Sequence, residues 1–162
     1  MVRRLLACAA LALPLPTAAE LGLNVYGLSY HFDRSQARAL GLDNELDPGL
    51  GLRYRVPHSE RLQWIFDAGA YRDSGRNTAA LAGAGALWKV SEGWRLGGAL
   101  ALLHSDTYNQ GKAFIAPLPL AAYEFRWGTL NFVYLPKVSD VNAVATLGVW
   151  ATIWLGNSGS GL

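Results

Sequence analysis

The sequence predicts an all-β fold: a single eight-stranded antiparallel transmembrane β-barrel with up-and-down connections. Three observations support this prediction. Apolar residues make up 51% of the chain, yet beyond the N-terminus they form no run of the roughly 20 residues that a membrane helix needs. They fall into short segments in which apolar side chains alternate with polar or small ones. The connections between these segments are alternately short and long, as in membrane barrels.

Residues 1–19 are predicted to be a secretory signal peptide. Arg3 and Arg4 provide the basic start, residues 5–13 the apolar core, and residues 17–19 (Thr-Ala-Ala) a small-residue cleavage site. A short buried helix is the alternative interpretation of this segment.

The remaining residues, 20–162, are expected to form one barrel domain. Cys8 is the only cysteine of the sequence and lies inside the predicted signal, so the mature chain is expected to lack disulfides. Removing Arg3 and Arg4 lowers the number of Lys and Arg from 14 to 12, against 12 Asp and Glu. A near-neutral chain lacks the basic patch that nucleic-acid binding needs, so no nucleic-acid partner is expected.

Eight strand-like segments are each bounded by turn-forming residues. The predicted strands are residues 21–32, 49–56, 62–72, 78–89, 94–103, 113–125, 129–135 and 143–155. The connections after the first, third, fifth and seventh strands are mostly longer and more polar. Membrane barrels have short periplasmic turns and longer outer loops. These four strands should therefore run outward and end at one common rim.

Alternation is clearest in the second predicted strand, where Leu50 and Leu52 share one face and Arg53 and Arg55 share the other. An apolar outer face and a small or polar inner face are typical of a barrel wall in a membrane. Six aromatic residues near segment ends fit interfacial girdles: Tyr30, Trp64, Trp88, Trp94, Trp127 and Trp154. A soluble sandwich or lipocalin-like barrel is the alternative, but its exposed face would be too apolar.

The predicted rim collects a histidine, an aspartate and a serine from separate strands. His31 ends the first strand, and Asp73 and Ser74 end the third. These residue types carry out acyl transfer, in which an imidazole moves a proton and a hydroxyl reacts or orients the substrate. Polar residues are also expected at any outer rim, so a non-catalytic rim is the alternative. A second set, residues 104–106 (His-Ser-Asp), is interpreted as a solvated loop rather than a part of the site.

Inward-facing charges predict a polar plug in the inner half of the barrel. Arg53, Arg55, Asp67 and Asn131 have the inward parity of their strands. Pairing Val56 with Leu62 would set Arg53 diagonal to Asp67, and paired interior charges are the usual way in which such residues are tolerated.

The outer half is predicted to be apolar and roomy, because Gly69, Gly83 and Gly85 lie among alanines. Such a well suits a hydrocarbon tail, although small residues also allow a narrow barrel to close. Prolines interrupt strand pairing, and four of them border this half: Pro48, Pro117, Pro119 and Pro136. Because those on the sixth and seventh strands fall at one level, they predict a gap in the wall and a lateral entrance from the membrane.

Short segments, in the same order along the chain, carry a resemblance to a known family. They are Tyr30-His31 with Asp33; Asp43-Asn44-Glu45 with Pro48-Gly49-Leu50-Gly51-Leu52; Asp73-Ser74 with Ala82-Gly83-Ala84-Gly85; Ala116-Pro117-Leu118-Pro119-Leu120-Ala121; and Val133-Tyr134-Leu135-Pro136. In these residues the chain resembles the lipid A palmitoyltransferase (PagP) family of outer-membrane acyltransferases.

The resemblance implies an enzyme of the bacterial outer membrane that moves a palmitoyl or similar chain from a phospholipid donor to lipid A, without a metal or soluble cofactor. His31, Asp73 and Ser74 would be catalytic, with His31 as the general base. Gly83 and Gly85 would line the acyl pocket, with Gly85 at its floor. The four prolines named above would mark the openings for lipids.

Three further expectations accompany this interpretation. Arg72, Arg76 and Lys112 are candidates to hold lipid phosphates. The protein is expected to act as a monomer. Two alternatives stay open: a non-catalytic structural or adhesive barrel that uses the loop of residues 33–47 for contact, and a lipid A deacylase on the same architecture.

Overall fold

The computed structural model, which describes residues 19–138 and 140–156, is a closed barrel of eight antiparallel strands in sequential order. The strands are β1 (Glu20–His31), β2 (Leu46–Pro57), β3 (Leu62–Arg72), β4 (Thr78–Lys89), β5 (Trp94–His104), β6 (Phe114–Phe125), β7 (Gly128–Leu135) and β8 (Thr146–Trp154). Pairing of β1 with β8 closes the barrel. The predicted fold class is confirmed. Residues 1–18, most of the predicted signal peptide, lie outside the described residues.

Strand bounds differ most from the prediction in β2 and β8. β2 begins at Leu46 because that residue still pairs with Leu28 of β1. β8 begins only at Thr146, because the preceding connection is held as a turn by the Asn142 side chain, which donates to the Pro136 carbonyl at 2.9 Å. None of the helices in the described residues is long and apolar enough to cross a membrane.

The β1–β2 connection contains a short helix, α1 (Arg34–Ala39). The Asp33 side chain caps its start by accepting the Gln36 N–H at 2.9 Å, which satisfies one of the free donors of the first turn. The β5–β6 connection contains a single 3₁₀ turn, Asn109–Gly111.

The predicted alternation of faces is confirmed. On β2, Leu50 is 60% exposed on the outside, whereas Arg53 is 1% exposed in the interior. Trp154 departs from the predicted aromatic girdle. Its side chain lies inside the barrel, donates to Thr129 Oγ1 at 3.2 Å and packs against the Arg55 guanidinium.

The predicted polar plug is present, and its register differs from the prediction by two residues. Val56 pairs with Trp64 rather than with Leu62, so Arg53 lies directly opposite Asp67. The difference arises in the β2–β3 turn, where the N–H groups of His58 and Ser59 both donate to the Leu62 carbonyl, so that Gln63, opposite Pro57, is the first β3 residue to pair with β2.

Arg53 is bidentate to Asp67, with both N···O distances at 2.8 Å, and also donates to Asn131 Oδ1 at 2.5 Å. Asn24 donates to Asp67 at 2.9 Å. Nearer the short turns, Glu124 binds Arg55 at 2.9 Å and Arg95 at 2.7 Å, and Glu20 binds Arg55. Three cations thus face three carboxylates, and the plug is neutral. Beside it lies an apolar cluster that fills the middle of the barrel: Ile65, Leu87, Leu120 and Ala122.

Candidate functional site

The structure brings the predicted rim residues to one end of the barrel. His31 ends β1, Asp73 and Ser74 follow β3, Ser105 follows β5 and Pro136 follows β7. Because consecutive strands are antiparallel, the ends of these four strands meet at the same rim. His31, Ser74 and Asp73 are all buried there, at 3%, 3% and 0% exposure.

Asp73 acts as an anchor between two loops. Its Oδ1 accepts the N–H groups of Gly75 and Asn77, each at 3.0 Å, and the Thr107 hydroxyl at 2.8 Å. Its Oδ2 accepts the Ser105 hydroxyl. A carboxylate offers about four acceptor sites, so these four donors occupy the group fully. Asp73 therefore fastens the β3–β4 turn to the β5–β6 connection.

Ser105 corrects the interpretation of residues 104–106 as a solvated loop. Its side chain is fully buried and serves Asp73, while His104 and Asp106 on either side are exposed. Only the middle residue of the three is part of the rim structure.

His31 faces Glu45 rather than Ser74. Its Nδ1 lies 3.8 Å from Glu45 Oε1, and Glu45 is itself bound by Arg34 at 2.8 Å. The Ser74 hydroxyl instead lies beside that of Ser29, with 3.4 Å between the two Oγ atoms. Within residues 19–138 and 140–156, no hydrogen bond joins His31 to Ser74 or to Asp73. The nucleophile-and-base contact that acyl transfer requires is not formed.

A cavity of about 350 Å³ opens beneath the rim, where the apolar well was predicted. This volume falls within the range of pockets that hold small molecules. Aliphatic and small side chains dominate its lining, among them Leu81, Gly83, Ala99, Ala101, Leu118 and Val133. Gly85 points inward on the same strand but lies outside the lining. Asp67 and Trp150 border the cavity on the side of the plug.

The rim end of the cavity forms a polar neck. It consists of Ser29, Asp47, Tyr71, Ser74 and Tyr108. Burial raises the pKa of the Tyr108 phenol well above its ordinary value, with the nearby Asp73 carboxylate adding to the effect, so this phenol stays neutral at neutral pH.

Most of the neck was not predicted from sequence. β1 changes register between Tyr26 and Leu28, so inward-facing residues have even numbers before Gly27 and odd numbers after it. Strict alternation would have placed Ser29 outside. Asp47 has the same inward parity as Arg53 on β2. It was missed because the predicted second strand began at residue 49, whereas β2 begins at Leu46.

The predicted gap in the wall is confirmed in the backbone pairing. β6 pairs with β7 only from Leu120 to Phe125, so its rim half, residues 114–119, is unpaired on that side. Pro117 and Pro119 lie in this stretch and are exposed on the outer face. Pro48 lies beside the register change between β1 and β2. The substrate-binding roles given to these prolines, to Pro136 and to the glycines stay predictions.

The predicted phosphate-binding cations do not line the cavity. Arg72 and Lys112 are exposed, and Arg76 donates to Asp43 at 3.1 Å. This hydrogen bond holds the pKa of the Asp43 carboxyl below its usual value. In the part of the chain that the structure describes, no group of three or more His, Cys, Asp or Glu side chains is arranged to hold a metal ion.

The chain is similar in fold to solved structures of outer-membrane barrels. No family model and no curated protein matches the chain. A crystal structure of Ail, the attachment invasion locus protein of Yersinia pestis, is 15% identical with a TM-score of 0.43, over 85% of this chain and 96% of that chain. A second Ail structure, in complex with the heparin analogue sucrose octasulfate, is 16% identical with a TM-score of 0.39 over the same shares. Similarity at this level carries no argument about function.

The predicted family and activity find no support in these comparisons. The matching structures are of Ail, which belongs to a different family from the lipid A palmitoyltransferases. The predicted membership in that family, and with it the assignment as a lipid A acyltransferase enzyme, is wrong. The rim geometry gives the physical reason, because Asp73 is fully engaged by loop donors and the His31 ring lies beside Glu45, without a hydrogen bond to Ser74 among the described residues. The catalytic roles given to His31, Asp73 and Ser74 stay untested predictions and are not carried further.

Proposed function

We propose that this protein is a small non-catalytic barrel of the bacterial outer membrane that holds one hydrocarbon chain of a membrane amphiphile in its interior. The observation that carries the proposal is the cavity of about 350 Å³, which has mostly apolar walls, a polar neck at the rim and the paired carboxylate of Asp67 at the plug end. A slender apolar chain with a polar head matches this division.

The outer surface supports a membrane location. Large hydrophobic side chains project outward around the barrel, with Leu50, Leu100 and Ile115 at 60%, 62% and 69% exposure. A soluble monomer rarely exposes so continuous an apolar surface, whereas a lipid bilayer solvates it.

Aromatic side chains form two belts on this surface. Trp64, Trp88, Trp94 and Trp127 are exposed near the short turns. At the opposite rim, Phe32 packs edge-on against Tyr30 and Tyr134, with ring centroids 5.5 and 5.9 Å apart. Aromatic girdles at both interfaces are characteristic of transmembrane barrels. The short turns would then face the periplasm and the rim would face outward.

The interior supports a closed well rather than a channel. The ion pairs of Arg53, Arg55 and Arg95 obstruct the half of the barrel opposite the rim. The rim half of β6 is unpaired towards β7, and Ile115 and Pro117 of this stretch line the cavity, so a side opening towards lipid would lie here. A chain could thus enter from the membrane and could not pass through to the periplasm.

Native mass spectrometry of the barrel, delipidated and held in octyl glucoside, tests the proposal with hexadecanol as the probe. The barrel should bind one hexadecanol molecule. Ala99→Phe places a ring on the cavity wall and should abolish this complex, whereas Ala82→Phe, on the outer face of β4, should leave it unchanged.

The heat-dependent shift of folded barrels in gel electrophoresis verifies that both variants fold. Equal binding by Ala99→Phe and Ala82→Phe would refute an interior chain. The absence of any 1:1 complex would refute it as well, and would favour a structural or adhesive barrel.

A further inference from the structure

We infer that the neck of the cavity selects an amphiphile with a cationic head, a long-chain primary amine whose ammonium group is held by Asp47. This inference rests on the proposed function, because it assumes that a chain occupies the cavity.

Asp47 is a buried carboxylate that lines the cavity. It is 8% exposed, and among residues 19–138 and 140–156 its Oδ1 has no hydrogen-bond partner. Burying a carboxylate oxygen without a partner is costly unless a donor or a cation compensates for the lost water. The protein groups around it do not supply that cation, so a ligand head is the natural source.

The other neck residues complete a site for an ammonium group. An ammonium carries three donors and no acceptor. Ser29 and Ser74 approach each other to 3.4 Å between their hydroxyl oxygens. Both serines line the cavity together with Asp47, as do the phenols of Tyr71 and Tyr108. One carboxylate and several neutral oxygens at one end of an apolar well fit three N–H donors at the end of an alkyl chain.

The charge balance of the cavity favours a cation over an anion. Its lining includes no Lys, Arg or His among the described residues. The other carboxylate of the lining, Asp67, is already neutralised by its bidentate pair with Arg53. Asp73, just behind the neck, is bound by donors that are all neutral. A phosphate or carboxylate head would meet Asp47 without a compensating cation, whereas an ammonium would form a charge-assisted hydrogen bond with it.

Competition among three C16 amphiphiles tests this inference by native mass spectrometry: hexadecylamine, hexadecanol and hexadecanoate. The wild-type barrel should prefer the amine. Because hydrogen bonds to charged groups contribute about 1.5–3 kcal/mol, the preference over the alcohol should be about ten- to a hundredfold. Asp47→Asn should remove it, and Asp43→Asn, an exposed rim acid outside the cavity, should retain it.

The outcomes separate this inference from the proposed function. Equal affinity for amine and alcohol in the wild type, or a preference that survives Asp47→Asn, overturns the role of Asp47 while chain binding stands. Tighter binding of hexadecanoate overturns the cationic head. Failure of all three amphiphiles to bind, with Ala99→Phe indistinguishable from wild type, overturns both proposals. The wild-type comparison needs no variant, so the test does not depend on the folding of Asp47→Asn.

Discussion

Removing Arg53 should destabilise the barrel strongly, because Arg53 is the centre of the plug. Its side chain is 1% exposed and makes three hydrogen bonds, two to Asp67 and one to Asn131. In Arg53→Met, Asp67 would keep only the donor from Asn24. Breaking a buried ion pair by removing one partner costs about 3–5 kcal/mol, and we expect a loss of this size.

The double variant Arg53→Met/Asp67→Leu gives the sharper test. It removes both charges, so no unpaired carboxylate is left in the interior, and its cost should be far smaller than the sum of the two single costs. Arg76→Met is the control, since Arg76 is 52% exposed and pairs with an exposed aspartate. An exposed pair contributes at most about 1 kcal/mol.

Urea unfolding of the barrel in phospholipid vesicles, followed by tryptophan fluorescence, gives these free energies of unfolding. If Arg53→Met cost no more than Arg76→Met, or if the two single costs simply added in the double variant, the plug would not be a coupled network. The account of the barrel interior would then be wrong.

Three further predictions concern the rim, the loops and the wall. Asp73→Ala should destabilise the barrel by about 1–3 kcal/mol and accelerate hydrogen exchange at the Gly75 and Asn77 amides; unchanged protection of these amides would exclude Asp73 as their anchor. Arg76→Gln should raise the pKa of Asp43 towards its ordinary value in an NMR titration, because the hydrogen bond from Arg76 lowers that pKa. The stability that this contact contributes is present above the pKa of Asp43 in the unfolded chain and is lost as pH falls through its pKa in the folded chain. A stability difference between Arg76→Gln and the wild type that changed between pH 6 and 8 would contradict this assignment. Gly97→Ala should cost about 1–3 kcal/mol, because an added Cβ would overlap the Ala86 carbonyl oxygen. Gly27→Ala, with open space at its Cβ, should be nearly neutral, and equal urea midpoints for the two variants would rule out this packing argument.

The sequence predicted the barrel because alternation and turn chemistry are local properties. Leu50 and Arg53 take opposite faces whatever the rest of the chain does, since side chains alternate across a strand. The same alternation predicted the polar plug. The gap at Pro117 and Pro119 was also predicted locally, because proline has no N–H to donate to a neighbouring strand.

Properties that depend on pairing between strands were harder to predict. The register of β2 against β3 is set by the turn at residues 58–61, and a change of two residues there moved Asp67 from diagonal to opposite Arg53. The irregularity at Gly27 reverses which residues of β1 face inward. An isolated glycine within a strand is a known site of such irregularities, but it does not by itself fix where the inward parity changes. The neck therefore became visible only in the structure.

The rim shows why residue types alone did not establish an activity. His31, Asp73 and Ser74 do meet at one end, as predicted. Two of the four partners of Asp73, Ser105 and Thr107, come from a loop more than thirty residues away. Such long-range hydrogen bonds decide whether an aspartate at a rim is a structural anchor or a free reactive group.

The most direct test of the account is to locate the bound chain by intermolecular NOEs between protonated hexadecylamine and the perdeuterated barrel, with protons restored on selected side chains. The account predicts contacts from the chain methylenes to Trp150 and Leu118 in the cavity, and from the methylene beside nitrogen to Tyr108 at the neck. Contacts confined to Leu50, Leu100 and Ile115 on the outer surface would show a chain that only solvates the barrel, and would contradict an interior binding site.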